Sequence, residues 1–366
     1  MSGSGRGDGD PGSGQESPGE PVGRRNRGPT TPLARIGLGR GAEFDLIRRL
    51  LGPETPLPPG LLVGPGDDCA VLEGGIVVSV DLSMEDVHFK REWISLHEAG
   101  YRATAAALSD LAAMAAEPLG VLLSMALGPG NPGEEAAELQ AGAENACRLE
   151  GTFILGGDLA GSPGPVVLDV VVLGRSHAPV LRSGSRPGDE VWVSGWLGGS
   201  AGAVAMWIQG LHPPEGLRDA FARPRPRIRE ALWLADRVPL RGLVDISDGL
   251  AGDAGHLAAA SGVSVVLEED AIPVHPDLEG ALAGTRGESL GFALGGGEDY
   301  ELCLTVPPGA LQAWAAPFER NFGIPLTRVG TVIEGDSQLV LLESGQGERR
   351  PLERGGFSHF AGKGRE

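Results

Sequence analysis

The chain is predicted to fold as two α/β domains of similar size, joined near residue 178, and three observations carry that prediction. Its 366 residues are enough for two separate cores. Short apolar runs of strand character alternate with longer Ala-rich runs of helical character in both halves. Between the halves lies RSHAPVLRSGSRPGDE, dense in Arg, Gly, Ser and Pro, where the pattern breaks and then restarts.

Each element has a local reason. Residues 1–33 are Gly, Ser, Pro, Asp and Arg with almost nothing to bury, so they are expected to be disordered. Their GDGDPG is a formal GxGxxG match with no strand before it and no helix after it, hence composition and not a nucleotide fingerprint. The first domain, 34–178, opens with AEFDLIRRLLG, where Phe44, Ile47 and Leu51 share a helical face. GLLVGPGDDCAVL reads as two short strands around a Gly-rich turn, and GIVVSVD as a buried strand ending in Asp81. SLHEAGYRATAAALSDLAAMAAEP is a long helix, opened by Ser95 and Glu98 at capping-box spacing and stopped by Pro118. GVLLSMAL is a strand, 133–150 a helix, GTFILGGD a strand with a Gly-rich end, and PVVLDVVVLG a further strand. The second domain, 179–366, has a strand at VWVSG, a loop at GWLGGSAG, helices, and strands at LVDI, VSVVLEE, YELCLTV and RVGTVI.

Bulk properties exclude several functions. Thirty Lys+Arg against 49 Asp+Glu give a net charge of −19, which disfavours a nucleic-acid partner. No apolar run approaches the roughly 20 residues that span a bilayer, and the N-terminus lacks the apolar core of a signal peptide. Cys69, Cys147 and Cys303 are scattered and unpaired in sequence, as expected of a reduced, cytoplasmic protein without structural zinc. With no GxxxxGK[ST] and only Lys90 and Lys363 as lysines, P-loop and protein-kinase chemistry are excluded.

The chemistry lies in acidic residues that end or interrupt apolar segments: Asp67, Asp68, Asp81, Asp110, Asp158, Asp245 and Asp248. Asp110 sits mid-helix between Leu108 and Leu111, where Asp has poor propensity and little water. Any one of these could be a satisfied core polar group or a cap, but seven in one chain point to shared counter-ions. Hard divalent cations take oxygen ligands, and several Asp beside Gly-rich turns suit two or more Mg²⁺ holding a polyphosphate. Other signals stay open at this level. GWLGGSAG (195–202) is either a phosphate cradle or a tight connection, and His88 either a packed residue or a base. Arg182 is either a hinge ion pair or a phosphate contact, and Glu298 with Asp299 either a site or a strand-entry turn.

Taken together, GPGDDCAVL, VSVDLSMEDVHF, ALSDLAAMAAEP, ILGGD, LRSGSRPGDEVWVSG, RPRPRI, DISDGLAGDAGH and GGGEDYELCLTV resemble the thiamine-monophosphate kinases, relatives of aminoimidazole ribonucleotide synthetase and selenophosphate synthetase. VHF, GGEDYEL and the GFSHF ending favour that branch. The resemblance implies an α/β (α+β) two-domain ATP-binding fold, each domain a mixed sheet with helices packed on it. It implies direct, Mg²⁺-assisted transfer from ATP to thiamine monophosphate by a homodimer whose first-domain strands pair across the two-fold. Carried over by motif, Asp68, Ser79, Val80, Asp81, Asp110, Asp158, Asp245 and Asp248 are implied metal ligands, Val80 through its backbone. Gly157, Asp158, Arg182 and Ser247 are implied nucleotide contacts, and His88, Glu298 and Phe357 implied thiamine-pocket residues. No residue is implied as a covalent or acid–base catalyst, because a phosphate monoester is already a competent nucleophile. Relatives commonly carry Thr at Val80, so a hydroxyl is lost there. The rival readings are a synthetase-type enzyme of the same superfamily and a non-catalytic nucleotide binder. The first is disfavoured by the absence of a Cys before the Gly-rich turn, the second by the number of carboxylates.

Overall fold

A computed structural model describes residues 42–51, 57–281, 286–335 and 339–352, all within one compact unit. The tail expected over 1–33 and Phe357, expected in the thiamine pocket, lie outside these residues. The first half comprises α1 (Ala42–Leu51), β1 (Leu61–Val63), β2 (Ala70–Leu72), β3 (Ile76–Met84), α2 (Leu96–Ala113), β4 (Glu117–Leu127), α3 (Pro132–Leu149), β5 (Ile154–Gly161) and β6 (Val167–Arg175). The second comprises β7 (Glu190–Ser194), α4 (Gly199–Ile208), α5 (Glu215–Ala222), α6 (Ile228–Ala235), β8 (Gly242–Asp245), α7 (Leu250–Ser261) and β9 (Ser264–Glu268). It continues with α8 (Leu278–Ala281), α9 (Arg286–Gly295), β10 (Leu302–Val306), α10 (Ala315–Phe322), β11 (Leu326–Ile333), β12 (Val340–Glu343) and β13 (Arg349–Pro351).

Two mixed sheets result. The first runs β1-β2-β3-β6-β4-β5, antiparallel except for the β4–β5 pair, whose crossover is α3. The second runs β13-β12-β9-β11-β7-β10-β8, antiparallel except for β12–β9. Among the described residues no helix is long and apolar enough to cross a membrane. The three cysteines are buried and free.

Helix α2 joins the halves. Its capping box forms as expected, with Glu98 N–H donating to Ser95 Oγ at 3.2 Å and Ser95 N–H donating to Glu98 Oε2 at 3.0 Å. One flank packs on β3 and β6, another on α3, and a third on α5, α6 and β8. The α2–α3 crossing is close because a Cβ on Gly100 would lie 2.0 Å from Leu139 O, and one on Gly142 would lie 1.8 Å from His97 O. Gly142→Ala is therefore expected to cost about 1–3 kcal/mol by overpacking. Gly133→Ala, where a Cβ meets nothing within 4 Å, is the control. Equal melting temperatures for the two variants would show that the crossing relaxes freely.

Several boundaries differ from the sequence reading, two of them beside the acidic cluster. Strand β3 continues past Asp81 to Met84, because Ser79, Asp81 and Ser83 form one alternating row while Val78, Val80 and Leu82 form the other. Helix α2 ends at Ala113, five residues before Pro118. Ala115 takes φ +47°, and Ala116 N–H closes back onto Leu111 O at 2.9 Å, so β4 starts at Glu117 with Pro118 inside it.

Candidate active site

Three separate segments bring Asp68, Asp110 and Asp245 together, with carboxylate oxygens within 4.8 Å of one another. Asp68 comes from the β1–β2 turn, Asp110 from the last turns of α2, and Asp245 from the end of edge strand β8, which lies against α2. Ser79 on β3 knits the first two: its Oγ lies 2.6 Å from Asp110 Oδ2 and 2.9 Å from Asp68 O.

The cluster is short of positive charge. Burial, then repulsion from Asp68, pushes Asp245 up to about 7. Burial, then Asp245, Asp68 and Asp81, raises Asp110 well above the carboxylate range. Asp67 is likewise pushed up to about 7 by burial and by Asp68. Arg182 is the cation in contact: its Nε donates to Asp68 Oδ2 at 3.0 Å, its Nη2 to Asp68 Oδ1, and its backbone N–H to Asp67 Oδ2 at 3.1 Å. Buried carboxylates that repel each other and share one guanidinium are a strong oxygen-donor set for a hard cation.

Asp110 and Asp245 of this cluster open onto one end of a cleft of about 1100 Å³. Asp81, Asp110, Asp245, Ser247 and Asp248 line that end, while His88, Trp93, Phe221, Glu298 and Tyr300 line the remainder. Met84 N–H donates to His88 Nδ1 at 3.0 Å and so fixes the imidazole. The loop bearing Glu298 is laced to that bearing Ser247: Glu298 N–H donates to Ser247 O and Tyr300 N–H to Ile246 O, both at 2.8 Å. Glu298 and Tyr300, at φ +59° and +51°, and Asp86, at φ +66°, adopt left-handed backbone, and all three line the cleft. Such strain in non-glycine residues gathers at functional sites.

The structure gathers Asp68, Ser79, Asp81, Asp110, Asp245, Ser247 and Asp248 around this end of the cleft. Val80 is 60% exposed on the opposite row of β3, so its side chain cannot join them. Gly157 and Asp158 divide between the two faces of the sheet. Through Val170 and Leu123, Gly157 shares the row of Asp81, and it is pressed so closely on β4 that a Cβ would lie 1.7 Å from Leu123 O. Through Asp169 and Ser124, Asp158 shares the row of Leu82, on the face away from the three-carboxylate cluster of its own chain.

The loop at 195–202 is a tight connection whose second half is the first turn of α4, and Gly198 N–H donates to Asp299 Oδ2 at 2.8 Å. Burial pushes that Asp299 carboxyl up to about 8 despite the bond from Gly198. Sequence reasoning missed Arg102, Phe221 and Tyr300 in the cleft wall. It also missed Asp253 and His256, which stand within 4.8 Å of Asp248. The spacing DGLAGDAGH places all three on successive turns of α7 and the residues before it, and could have signalled them.

Comparison with known proteins agrees with this fold. The family of AIR synthase related proteins matches through its N-terminal domain over residues 66–176 and its C-terminal domain over residues 186–342. A thiamine-monophosphate kinase of Bacillus subtilis is 32% identical, covering 87% of this chain and 99% of the relative. One from Mycobacterium tuberculosis is 35% identical, covering 82% and 87%. Among solved structures, AaThiL complexed with AMPPCP and TMP superposes with a TM-score of 0.72 at 28% identity, covering 88% of this chain and 97% of that one. The thiamine-monophosphate kinase of Stenotrophomonas maltophilia gives 0.68 at 31% identity, covering 86% and 99%. The chain belongs to the thiamine-monophosphate kinases, within the AIR synthase related proteins.

Proposed function

We propose that this protein transfers the γ-phosphoryl group of ATP to thiamine monophosphate, giving thiamine diphosphate and ADP. The observation that carries it is one cleft lined by Asp110 and Asp245 of the three-carboxylate cluster together with His88, Glu298 and aromatic side chains. The donor set fits Mg²⁺, which when bound would screen the charge between the two phosphates. Asp68, Asp110 and Asp245 hold it, with Ser79, Asp81 and the Val80 carbonyl beside them and Asp248 for a further ion. Arg182 and Ser247 contact the nucleotide, and His88 and Glu298 orient the acceptor. The chain itself supplies no nucleophile and no base, so transfer is direct and initial-rate plots with both substrates intersect.

We place the domain boundary near residue 178, where the chain leaves the first sheet after β6 and enters the second at β7. A homodimer in the cytoplasm accounts for the outer face of the first sheet, where Val80, Leu82 and Leu122 are 36–60% exposed. Asp158 lies on that face, so in a dimer it serves the site next to the partner's sheet. Leu122→Asp is expected to yield a monomer by sedimentation, with lost turnover.

The test is thiamine diphosphate formation with and without Mg²⁺. Turnover that needs ATP, thiamine monophosphate and metal supports the reading, and equal rates with unrelated phosphate monoesters overturn it. A second measurement follows from the carboxylates. Asp245 and Asp67 rise from 3.8 to about 7 on folding, so the native state binds protons there that the unfolded chain has lost. The resulting cost is absent at low pH, grows through that window and is complete above it. In EDTA the protein is expected to melt lower at pH 8 than at pH 5.5, and Mg²⁺ is expected to raise the melting temperature more at pH 8. A metal effect independent of pH would place the ion away from these groups.

A further inference from the structure

Arg102 is buried to 3% exposure in the wall of the cleft, on the same stripe of α2 as Asp110. The two lie eight residues apart, about 12 Å along the helix at 1.5 Å per residue. One end of that stripe therefore faces the metal-ligating carboxylates, and the other faces the heterocycle end of the cleft.

The guanidinium of Arg102 is held from three sides. It lies 3.9 Å from the Phe221 ring centroid and 6.0 Å from that of Tyr300, and Nη1 donates to Phe221 O. Phe221 belongs to α5, itself tied back to α2 by Arg218, whose Nη1 and Nη2 donate to Glu98 at 2.9 and 2.8 Å. Nη2 of Arg102 stands 2.7 Å from Glu298 Oε2, yet its N–H bonds are not aligned with that oxygen, so the contact is an ion pair without a hydrogen bond. Among the described residues no other cation reaches Glu298.

Resting on the function proposed above, we infer that Arg102 is a positioning residue that makes Glu298 a directed hydrogen-bond acceptor, not a counter-ion for the acceptor's cationic ring. A carboxylate already balanced by a fixed guanidinium offers little net charge to a cation. What it retains is lone pairs at a fixed place, 30% exposed to the cleft. The group on thiamine monophosphate that such an acceptor reads is the amine of its aminopyrimidine, at the end of the molecule remote from the phosphate. A charged acceptor built for an N–H rejects an analogue that offers an oxygen instead, because the two lone-pair sets then face each other.

The experiment compares kcat/KM for thiamine monophosphate with that for the analogue carrying oxygen in place of the amine. This ratio does not depend on how much of a variant is folded. The wild type is expected to prefer the amine by at least about tenfold, in line with one charge-assisted hydrogen bond. Arg102→Met is expected to bring the ratio near one through a higher acceptor KM, with KM for ATP within about twofold. Arg102→Lys, which keeps the charge, is expected to restore most of the preference. A wild-type ratio in Arg102→Met, or an equal rise in both KM values, overturns the inference and leaves Arg102 as packing. Wild-type behaviour in Glu298→Gln, or no turnover of thiamine monophosphate by the wild type, overturns the acceptor pocket itself, a distinguishable result.

Discussion

Asp110→Asn is expected to lower kcat by at least about a hundredfold while leaving the protein folded, and in EDTA slightly more stable than the wild type. The amide keeps the shape of the carboxylate and can still accept from Ser79 Oγ, 2.6 Å away in the wild type. What it removes is a charge that burial and the neighbours Asp245, Asp68 and Asp81 all oppose. Without a cation, loss of that charge relieves repulsion. With one, it removes a ligand whose charge cannot be replaced by a neutral oxygen of similar position. The two effects have opposite signs, so the variant separates a metal ligand from a satisfied core polar residue. Turnover near the wild type at saturating Mg²⁺ would reduce Asp110 to the latter, and a lower melting temperature in EDTA would show that its charge is compensated in the apo protein. The checks are steady-state kinetics and thermal melts with and without Mg²⁺.

The same residue shows what a sequence can disclose. An Asp between leucines in a capped, Ala-rich helix conflicts with its local pattern, and such conflicts mark sites. Asp68 and Asp245 were legible for the same reason, as carboxylates at the ends of apolar strands. The Ser95–Glu98 box was legible because its partners are three residues apart. Arg102 was not, because an Arg in a helix looks solvated until Phe221 and Glu298, far along the chain, close over it. The true end of α2 was hidden too, since an Ala at positive φ leaves no compositional trace. Asp81 misled in the opposite sense. It reads as a strand terminus, yet β3 runs on, with Asp81 on the polar row that faces α2 and its successor on the exposed row. Asp158 also reads as a strand end although β5 runs on to Gly161, and which face of the sheet it occupies depends on pairing register, which no single strand encodes.

Arg182→Met is expected to produce the largest loss of stability among single substitutions at this site. Two nitrogens of the guanidinium are committed to Asp68, which is 1% exposed at its side chain. Breaking such a pair from one side leaves an uncompensated buried carboxylate, typically about 3–5 kcal/mol. The Arg182 backbone bonds to Asp67 persist in the variant, so the β1–β2 turn keeps its shape and the loss reports charge. If Asp68 also binds Mg²⁺, the ion supplies the missing positive charge, and the deficit in melting temperature is expected to shrink as Mg²⁺ is added. If the guanidinium also meets the nucleotide, as proposed, turnover does not recover in parallel, and KM for ATP stays raised at every Mg²⁺ concentration. Asp68→Asn combined with Arg182→Met is expected to melt higher than the sum of the two single losses, since the pair is then removed from both sides. A Mg²⁺-independent deficit would assign Arg182 a purely structural tie between the halves of the chain, and additive single losses would show that Asp68 never relied on it.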